Sequence, residues 1–341
     1  MTLTVDFGPN DIVKQIEKTG IKGQHLIFID DYSSTELENI FKTAEMLEPF
    51  WRNRIPLLEG KILCTQFFQP STRTRFSHET AMFRLGGNVI TESNPLVSSA
   101  AAKGESLYDS LRVTSQYADV IVLRHPDEGV IDTIEQLGSD ASPIISGGYG
   151  NVTHPTQGLL DMYTAYRALG GDFKEMTIMI ATPDLSRARS GQSFGLGLAR
   201  MGSKLIYSGT TGLGLPPVIR AKLKAMNANF TEVNDLTIGQ HEEMLADEAV
   251  DLLYLPGCSV KKGDPGRDDF LKKMAEFYFT LEGLQKIKQK SGKTVGLMHS
   301  LPRNEGEFDF AIDASEHELY FKQIGFSVPL RMSLLANICG V

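Results

Sequence analysis

Gln66-Phe67-Phe68-Gln69-Pro70-Ser71-Thr72-Arg73-Thr74-Arg75-Phe76-Ser77-His78-Glu79 is an apolar run that stops at a proline and turns at once into a polar, basic helix start. Lys61 to Phe68 reads as a buried strand, and Pro70, with no N–H to give, cannot extend its ladder. Ser71, Thr72 and Thr74 then bring hydroxyls to the place where the first N–H groups of a helix have no internal partner. Glu79, Ala81, Met82 and Leu85 carry the helical pattern on to Gly86-Gly87. One reading makes the Ser-Thr pair a helix cap and the two arginines solvated surface. The other notes that free N–H groups and the helix dipole already favour an anion there, and that Arg73 and Arg75 add two full charges. On that reading the turn holds a phosphate or a carboxylate.

Working outward, Gly23–Ile29 reads as a short strand, and Ser33-Ser34-Thr35-Glu36 opens a helix with Leu37, Ile40, Phe41, Ala44 and Leu47 at helical spacing. Asn88–Thr91 is a further strand, residues 94–104 a small-residue loop ending near Lys103, and Leu107, Leu111 and Tyr117 mark another helix. Ala118–Leu123 is a strand ending in Arg124-His125-Pro126. Pro143–Ser146 leads into the glycine-rich loop Gly147-Gly148-Tyr149-Gly150-Asn151. His154 and Gln157 then stand three apart at the start of a helix through Leu159, Met162 and Tyr166, where they can face one edge.

After Gly170-Gly171 the alternation restarts with strands at Met176–Ala181, Lys204–Tyr207, Asn229–Val233, Asp251–Leu255 and Thr294–Met298. Helices at Gly191–Met201, Pro216–Met226, Glu242–Ala249 and Leu281–Lys290 lie between them, and the tail reads as a closing amphipathic helix. Strands alternating with helices predict an α/β chain of two doubly wound parallel-sheet domains, with ligands gathered at the carboxyl ends of strands. Ser71–Arg75, Arg124 and the basic stretch Arg187-Ala188-Arg189-Ser190 all fall on such ends.

At 341 residues and 41% apolar content the chain can fill two cores, and a net charge of −8 argues against a broad nucleic-acid footprint. A local basic cluster in an acidic chain points instead to a small anionic ligand. Cys64, Cys258 and Cys339 are scattered, without zinc-type spacing, which suggests a reducing compartment and no structural metal. No apolar run approaches a membrane span and the N-terminus has no leader pattern, so a soluble, cytoplasmic protein is expected. Gly195-Leu196-Gly197 has Arg200 at the third glycine position and lies within a helix, and no Walker lysine follows a glycine loop. A nucleotide cofactor is therefore not expected.

Five motifs, Ser71-Thr72-Arg73-Thr74-Arg75, Lys103-Gly104-Glu105, Arg124-His125-Pro126, His154-Pro155-Thr156-Gln157 and Leu301-Pro302-Arg303, together resemble the aspartate and ornithine carbamoyltransferase family in identity, order and spacing, closest to the catalytic chain of the aspartate branch. The resemblance implies a carbamoyl-phosphate domain over residues 1–165, completed by a returning C-terminal helix at 306–341, and an acceptor domain over 166–305. It also implies a homotrimer with shared active sites, no cofactor, and carbamoyl transfer from carbamoyl phosphate to an amino acid. With L-aspartate the product would be N-carbamoyl-L-aspartate, a step of pyrimidine biosynthesis.

By position, the resemblance gives Ser71, Thr72, Arg73 and Thr74 to the phosphate and Arg124 to both phosphate and carbonyl oxygen. His154 would donate to that oxygen, while Gln157 and the main-chain carbonyls of Leu301 and Pro302 would hold the carbamoyl NH₂. Lys103 would reach a neighbouring chain's site, and Arg189 and Ser190 would grip the acceptor's α-carboxylate.

The acceptor end departs from the pattern. The arginine and glutamine that bind the aspartate side chain in the family fall here on Gly257 and Ser259, and Ser300 precedes Leu301 where the two branches have proline or cysteine. Losing a charged partner for a carboxylate costs roughly 2–5 kcal/mol. Lys261, Lys262 and Arg267 are nearby cations that could compensate or be ordinary surface. An acceptor other than aspartate is thus the alternative, and a non-catalytic paralogue a further one, against which the intact Arg73, Thr74, Arg124, His154 and Gln157 argue.

Overall fold

A computed structural model describes residues 7–98, 103–257, 267–304 and 306–341. It divides into two compact units, one formed by the chain up to Thr156 together with Phe326–Val341, the other by Gln157–Gly325. The α/β class with parallel sheets and interleaved helices is as expected from the alternation.

In the first unit α1 (Pro9–Thr19), α2 (Ser34–Leu47), β1 (Ile62–Phe67), α3 (Arg73–Arg84), β2 (Asn88–Glu92), α4 (Pro95–Ser98), α5 (Leu107–Thr114), β3 (Val120–His125), α6 (Val130–Leu137) and β4 (Ile144–Tyr149) follow one another. Among the described residues the sheet has the order β2-β1-β3-β4, all parallel. Strand order therefore reverses between β1 and β3, and a crevice for a ligand forms at such a reversal, outside the carboxyl ends. Ile121, Leu123, Ile134, Ile144 and Tyr149 fill one core of this unit.

α7 (Pro155–Leu169) leads into the second unit, where β5 (Thr177–Ala181), α8 (Arg189–Met201), β6 (Lys204–Gly209), α9 (Pro217–Ala225), β7 (Phe230–Asn234), α10 (Ile238–Asp247), β8 (Leu252–Leu255), α11 (Arg267–Met274), α12 (Leu281–Ser291), β9 (Gly296–His299) and α13 (Tyr320–Gly325) follow. Its described strands run β7-β6-β5-β8-β9, so the reversal falls between β5 and β8. The amino ends of both sheets are stapled by carboxylates. Asp119 accepts from Lys61 Nζ and the Ile62 N–H, each at 2.8 Å, and Asp251 accepts from the Thr177 N–H at 2.9 Å and Lys293 Nζ at 2.7 Å.

Several expectations need correction. Gly23–Ile29 is no strand; it touches the sheet through one bridge, Leu26 to Ile145, because the chain turns away on both sides. β4 runs through Gly147-Gly148 to Tyr149 instead of stopping at Ser146, with a register shift opposite Leu123 to His125. The small residues admit Arg124 here, since a Cβ on Gly147 would lie 3.3 Å from the Arg124 Cβ.

The division between units falls after Thr156, not after residue 165, because α7 packs with α8: a Cβ on Gly158 would lie 2.9 Å from the Ser193 carbonyl carbon. The returning segment begins at Phe326 and not at 306, since Phe308, Ile312 and Tyr320 belong to the second core. That segment, α14 (Ser327–Cys339), is not amphipathic. It is buried from Pro329 to Ile338 and packs on α2 and α3.

Candidate active site

The turn between β1 and α3 settles one of the two readings of its hydroxyls. Thr72, the residue before α3, has helical backbone angles and makes no side-chain cap hydrogen bond. Compare Ser33, which accepts from the Glu36 N–H at 3.2 Å while Glu36 answers the Ser33 N–H at 2.7 Å. The cap explanation therefore holds for Ser33 and fails for Thr72. Thr72 and Arg73 are exposed, Thr74 is buried.

The two arginines part company. Arg75 is half-buried, 3.7 Å from Glu79 and stacked over Phe76, so it is committed to its own helix. Arg73 has no ion-pair partner among the described residues, and partial burial lowers its guanidinium from the ordinary arginine value. A cation held without a counter-charge at a helix N-terminus is what an anionic ligand requires.

Arg124 lies opposite Phe67 in the register, and its carbonyl accepts from the Phe68 N–H at 2.9 Å. Its Nη1 donates to the Gly147 carbonyl at 3.0 Å, so β4 orients the guanidinium at the carboxyl edge of β3. His154 is buried, with Nδ1 3.4 Å from Thr156 Oγ1, and Thr156 Oγ1 in turn lies 3.4 Å from the Ser146 carbonyl. Arg331 on α14 donates to the Thr156 carbonyl at 2.9 Å, which pins the same stretch from behind. The β1, β3 and β4 ends thus carry Ser71–Thr74, Arg124 and His154 on one edge of one sheet. Lys103 is exposed at a turn ahead of α5.

The second unit holds Gln157, Arg189, Ser190, Leu301 and Pro302. Gln157 Nε2 donates to Asp161 Oδ1 at 2.8 Å, which fixes the amide with its oxygen turned away from Asp161. Asp161 is buried and also accepts from the Tyr254 hydroxyl at 2.7 Å and from Gln323. Arg189 opens α8, again with no side-chain cap at the preceding residue, and burial lowers its guanidinium. Ser190 is buried beside Tyr254.

Leu301 has φ +53, an uncommon conformation for a branched side chain, and precedes a cis peptide to Pro302. Its N–H donates to His299 Nδ1 at 2.9 Å, and Ser300 Oγ donates to the Pro256 carbonyl, tying the ends of β8 and β9 together. Arg303 is committed elsewhere, paired with Asp313 and 3.9 Å from the Phe310 ring centre.

Gly257 follows β8 with φ +75, and a Cβ there would lie 3.1 Å from His299 Nε2. Ser259, Lys261 and Lys262 lie outside the described residues, and Arg267 opens α11 at 4.0 Å from Asp268. Sequence reasoning passed over Asp161, Tyr254 and Glu307. Asp161 was within reach, since it stands one helical turn after Gln157. Among the described residues no group of three His, Cys, Asp or Glu side chains could hold a metal ion, and no helix is long and apolar enough to cross a membrane.

Two parallel sheets, each with an arginine at an uncapped helix start beside its strand-order reversal, define an α/β protein with two positions suited to anionic groups. The known proteins agree. The family described as aspartate/ornithine carbamoyltransferase, carbamoyl-P binding domain, matches residues 24–167. The chain is 44% identical over 326 residues to the ureidoglycine carbamoyltransferase of Rubrobacter xylanophilus, covering 95% of this chain and 94% of that one. It is 39% identical to the aspartate carbamoyltransferase catalytic subunit of Methanocaldococcus jannaschii, covering 92% and 97%. The solved structure of the M. jannaschii catalytic subunit superposes with a TM-score of 0.77 at 37% identity, over 93% of this chain and 99% of that one. The chain belongs to the aspartate/ornithine carbamoyltransferase family and is an enzyme of the carbamoyltransferase type.

Proposed function

We propose that this enzyme transfers the carbamoyl group of carbamoyl phosphate to the α-amino group of ureidoglycine, giving diureidoacetate and phosphate. The neutral amine forms the new C–N bond, the bond from the carbamoyl carbon to the phosphate oxygen breaks, and the amine proton leaves with phosphate. The observation that carries this reading is Gly257, where aspartate recognition calls for an arginine. With φ +75 and His299 Nε2 beneath it, this position strains any side chain. Ureidoglycine has the α-carboxylate that Arg189 and Ser190 suit, but no second one. The likeness to a relative named for ureidoglycine supports the same choice.

In this reading Ser71, Thr72, Arg73 and Thr74 bind the phosphate, and Thr74, Arg124 and His154 meet the negative charge building on the carbonyl oxygen. Each such donor is worth about 10²–10³ in rate. For His154 to donate from Nε2, the one proton of the Thr156 hydroxyl, which lies 3.4 Å from both the Ser146 carbonyl and His154 Nδ1, must turn from that carbonyl to Nδ1. Gln157 offers its oxygen to the carbamoyl NH₂ because Asp161 holds the nitrogen side. The main-chain carbonyls of Leu301 and Pro302 hold the same group.

The chains would act as a homotrimer, with Lys103 of each serving a neighbour. Mixing Lys103→Ala with Arg73→Ala chains would then restore part of the activity; no recovery after verified exchange would count against sharing. L-Aspartate is the second reading, favoured by the aspartate carbamoyltransferase relatives. Steady-state rates with both acceptors decide between them. The expected result is a kcat/KM for ureidoglycine about 10²-fold above that for aspartate, the size of a lost charge partner. A preference for aspartate would reverse the assignment.

A further inference from the structure

At the carboxyl ends of β5, β8 and β9 the second unit holds a small pocket whose lining includes Thr182, Pro183, Gly257, Phe277, His299 and Glu307. Its polar chemistry is set by one hydrogen bond. Because His299 Nδ1 accepts the Leu301 N–H at 2.9 Å, that nitrogen carries a lone pair, and the ring proton sits on Nε2. His299 is thus a neutral donor.

Nε2 is fully buried, and Glu307 Oε2 stands 3.4 Å away, a long contact between an N–H and a carboxylate that is not a well-formed hydrogen bond. The gap above Nε2 is the place a side chain at Gly257 would fill, at 3.1 Å. Glu307 is itself buried and anionic. Burial works to raise its carboxyl, but the N–H groups of His299 and Asn304 outweigh it and hold it below the usual glutamate value. The pocket adjoins the α-carboxylate grip, since a Cβ on Gly191, next to Ser190, would lie 3.0 Å from Pro256 Cγ.

We propose that this pocket reads the ureido group of the acceptor, with His299 Nε2–H donating to the urea oxygen and the Glu307 carboxylate facing its N–H side. The assignment rests on the ureidoglycine reading above. A urea is neutral and carries an acceptor oxygen beside N–H donors, the complement of a neutral donor beside a carboxylate. An aspartate side chain would set a second carboxylate against Glu307. Recognition and rejection thus come from the same two residues, a repulsive device as much as an attractive one.

The test is kcat and KM for ureidoglycine and for aspartate in His299→Phe, His299→Gln and Glu307→Gln, with thermal melting as a folding control. Loss of one buried hydrogen bond raises KM for ureidoglycine about tenfold in H299F. H299Q, whose amide nitrogen replaces Nε2, recovers most of it. E307Q narrows the preference for ureidoglycine over aspartate by roughly tenfold. If the unaltered enzyme prefers ureidoglycine but folded E307Q and H299F both keep its full preference and KM, the pocket assignment is wrong and the acceptor reading stands. If the unaltered enzyme does not carbamoylate ureidoglycine, both fall together. Should H299F fail to fold, the isosteric E307Q decides.

Discussion

The turn from β1 into α3 and the turn from β5 into α8 are built on one plan and filled differently. Each follows a strand at its sheet's order reversal, each begins its helix with an arginine, and neither spends a side chain on capping. At α3 the arginine is ringed by hydroxyls, with Thr72 and Arg73 exposed. At α8 one serine follows the arginine, and Ser190 through Ala199 are all buried. A phosphate has three oxygens to satisfy and draws a whole segment to itself. An α-carboxylate needs one arginine and one hydroxyl, so what distinguishes one amino acid from another must be supplied from elsewhere.

The sharpest way to break this comparison is a crossed pair of substitutions. Arg73→Ala should lower kcat/KM for carbamoyl phosphate by about 10³ without lowering the melting temperature. Arg189→Ala should lower kcat/KM for the acceptor by about 10² and leave the affinity for carbamoyl phosphate as it was. If either variant shows the other's pattern, the two turns do not divide the substrates between them.

Two of the buried histidines, His78 in the first unit and His241 in the second, sharpen the comparison through pH. Burial, together with the charge of Arg331, pushes His78 down to about 3, although its Nδ1–H donates to the Thr74 carbonyl at 2.8 Å. Burial likewise takes His241 to about 4 from an ordinary 6.5. Below the ordinary value the unfolded chain takes up a proton that the folded unit refuses. The stability from each neutral histidine is therefore complete above pH 6.5 and is lost as pH falls toward 4 and 3. The slope approaches about 1.4 kcal/mol per pH unit for each histidine. Denaturant titrations at pH 7 and pH 5 should show it, with His78→Gln and His241→Gln each removing about half. A slope unchanged in both variants would place the proton uptake elsewhere.

The smallest effect separates a cap from an anion site. Ser33→Ala should cost about 1 kcal/mol, whereas Thr72→Ala should cost less than about 0.5 kcal/mol. A full capping penalty at Thr72 would return its hydroxyl to a structural role.

Much of the donor side was legible because strand, proline, hydroxyls and arginines stand next to one another between Gln66 and Glu79. The strands from β1 to β9 showed as apolar runs for the same local reason. α6 escaped notice although α5, also eight residues long, did not: Ser106 caps α5, whereas α6 starts after Gly129 with no side-chain cap to mark it. The tail deceived by its last helix, in which even Arg331 and Asn337 are buried, so burial there follows tertiary partners and not the hydrophobic pattern. On the acceptor side Gly257 was visible as a departure. Glu307 was not, since its link to His299 runs through a turn that sequence spacing does not reveal.

α14 leaves the ribosome after the whole of Gln157–Gly325, yet it supplies the inner face of the unit that was made first. During synthesis, then, Gln157–Gly325 has all its own residues before the earlier half does. Until Phe326–Val341 arrives, α2 and α3 must wait with an apolar side uncovered, so the older half of the chain matures second.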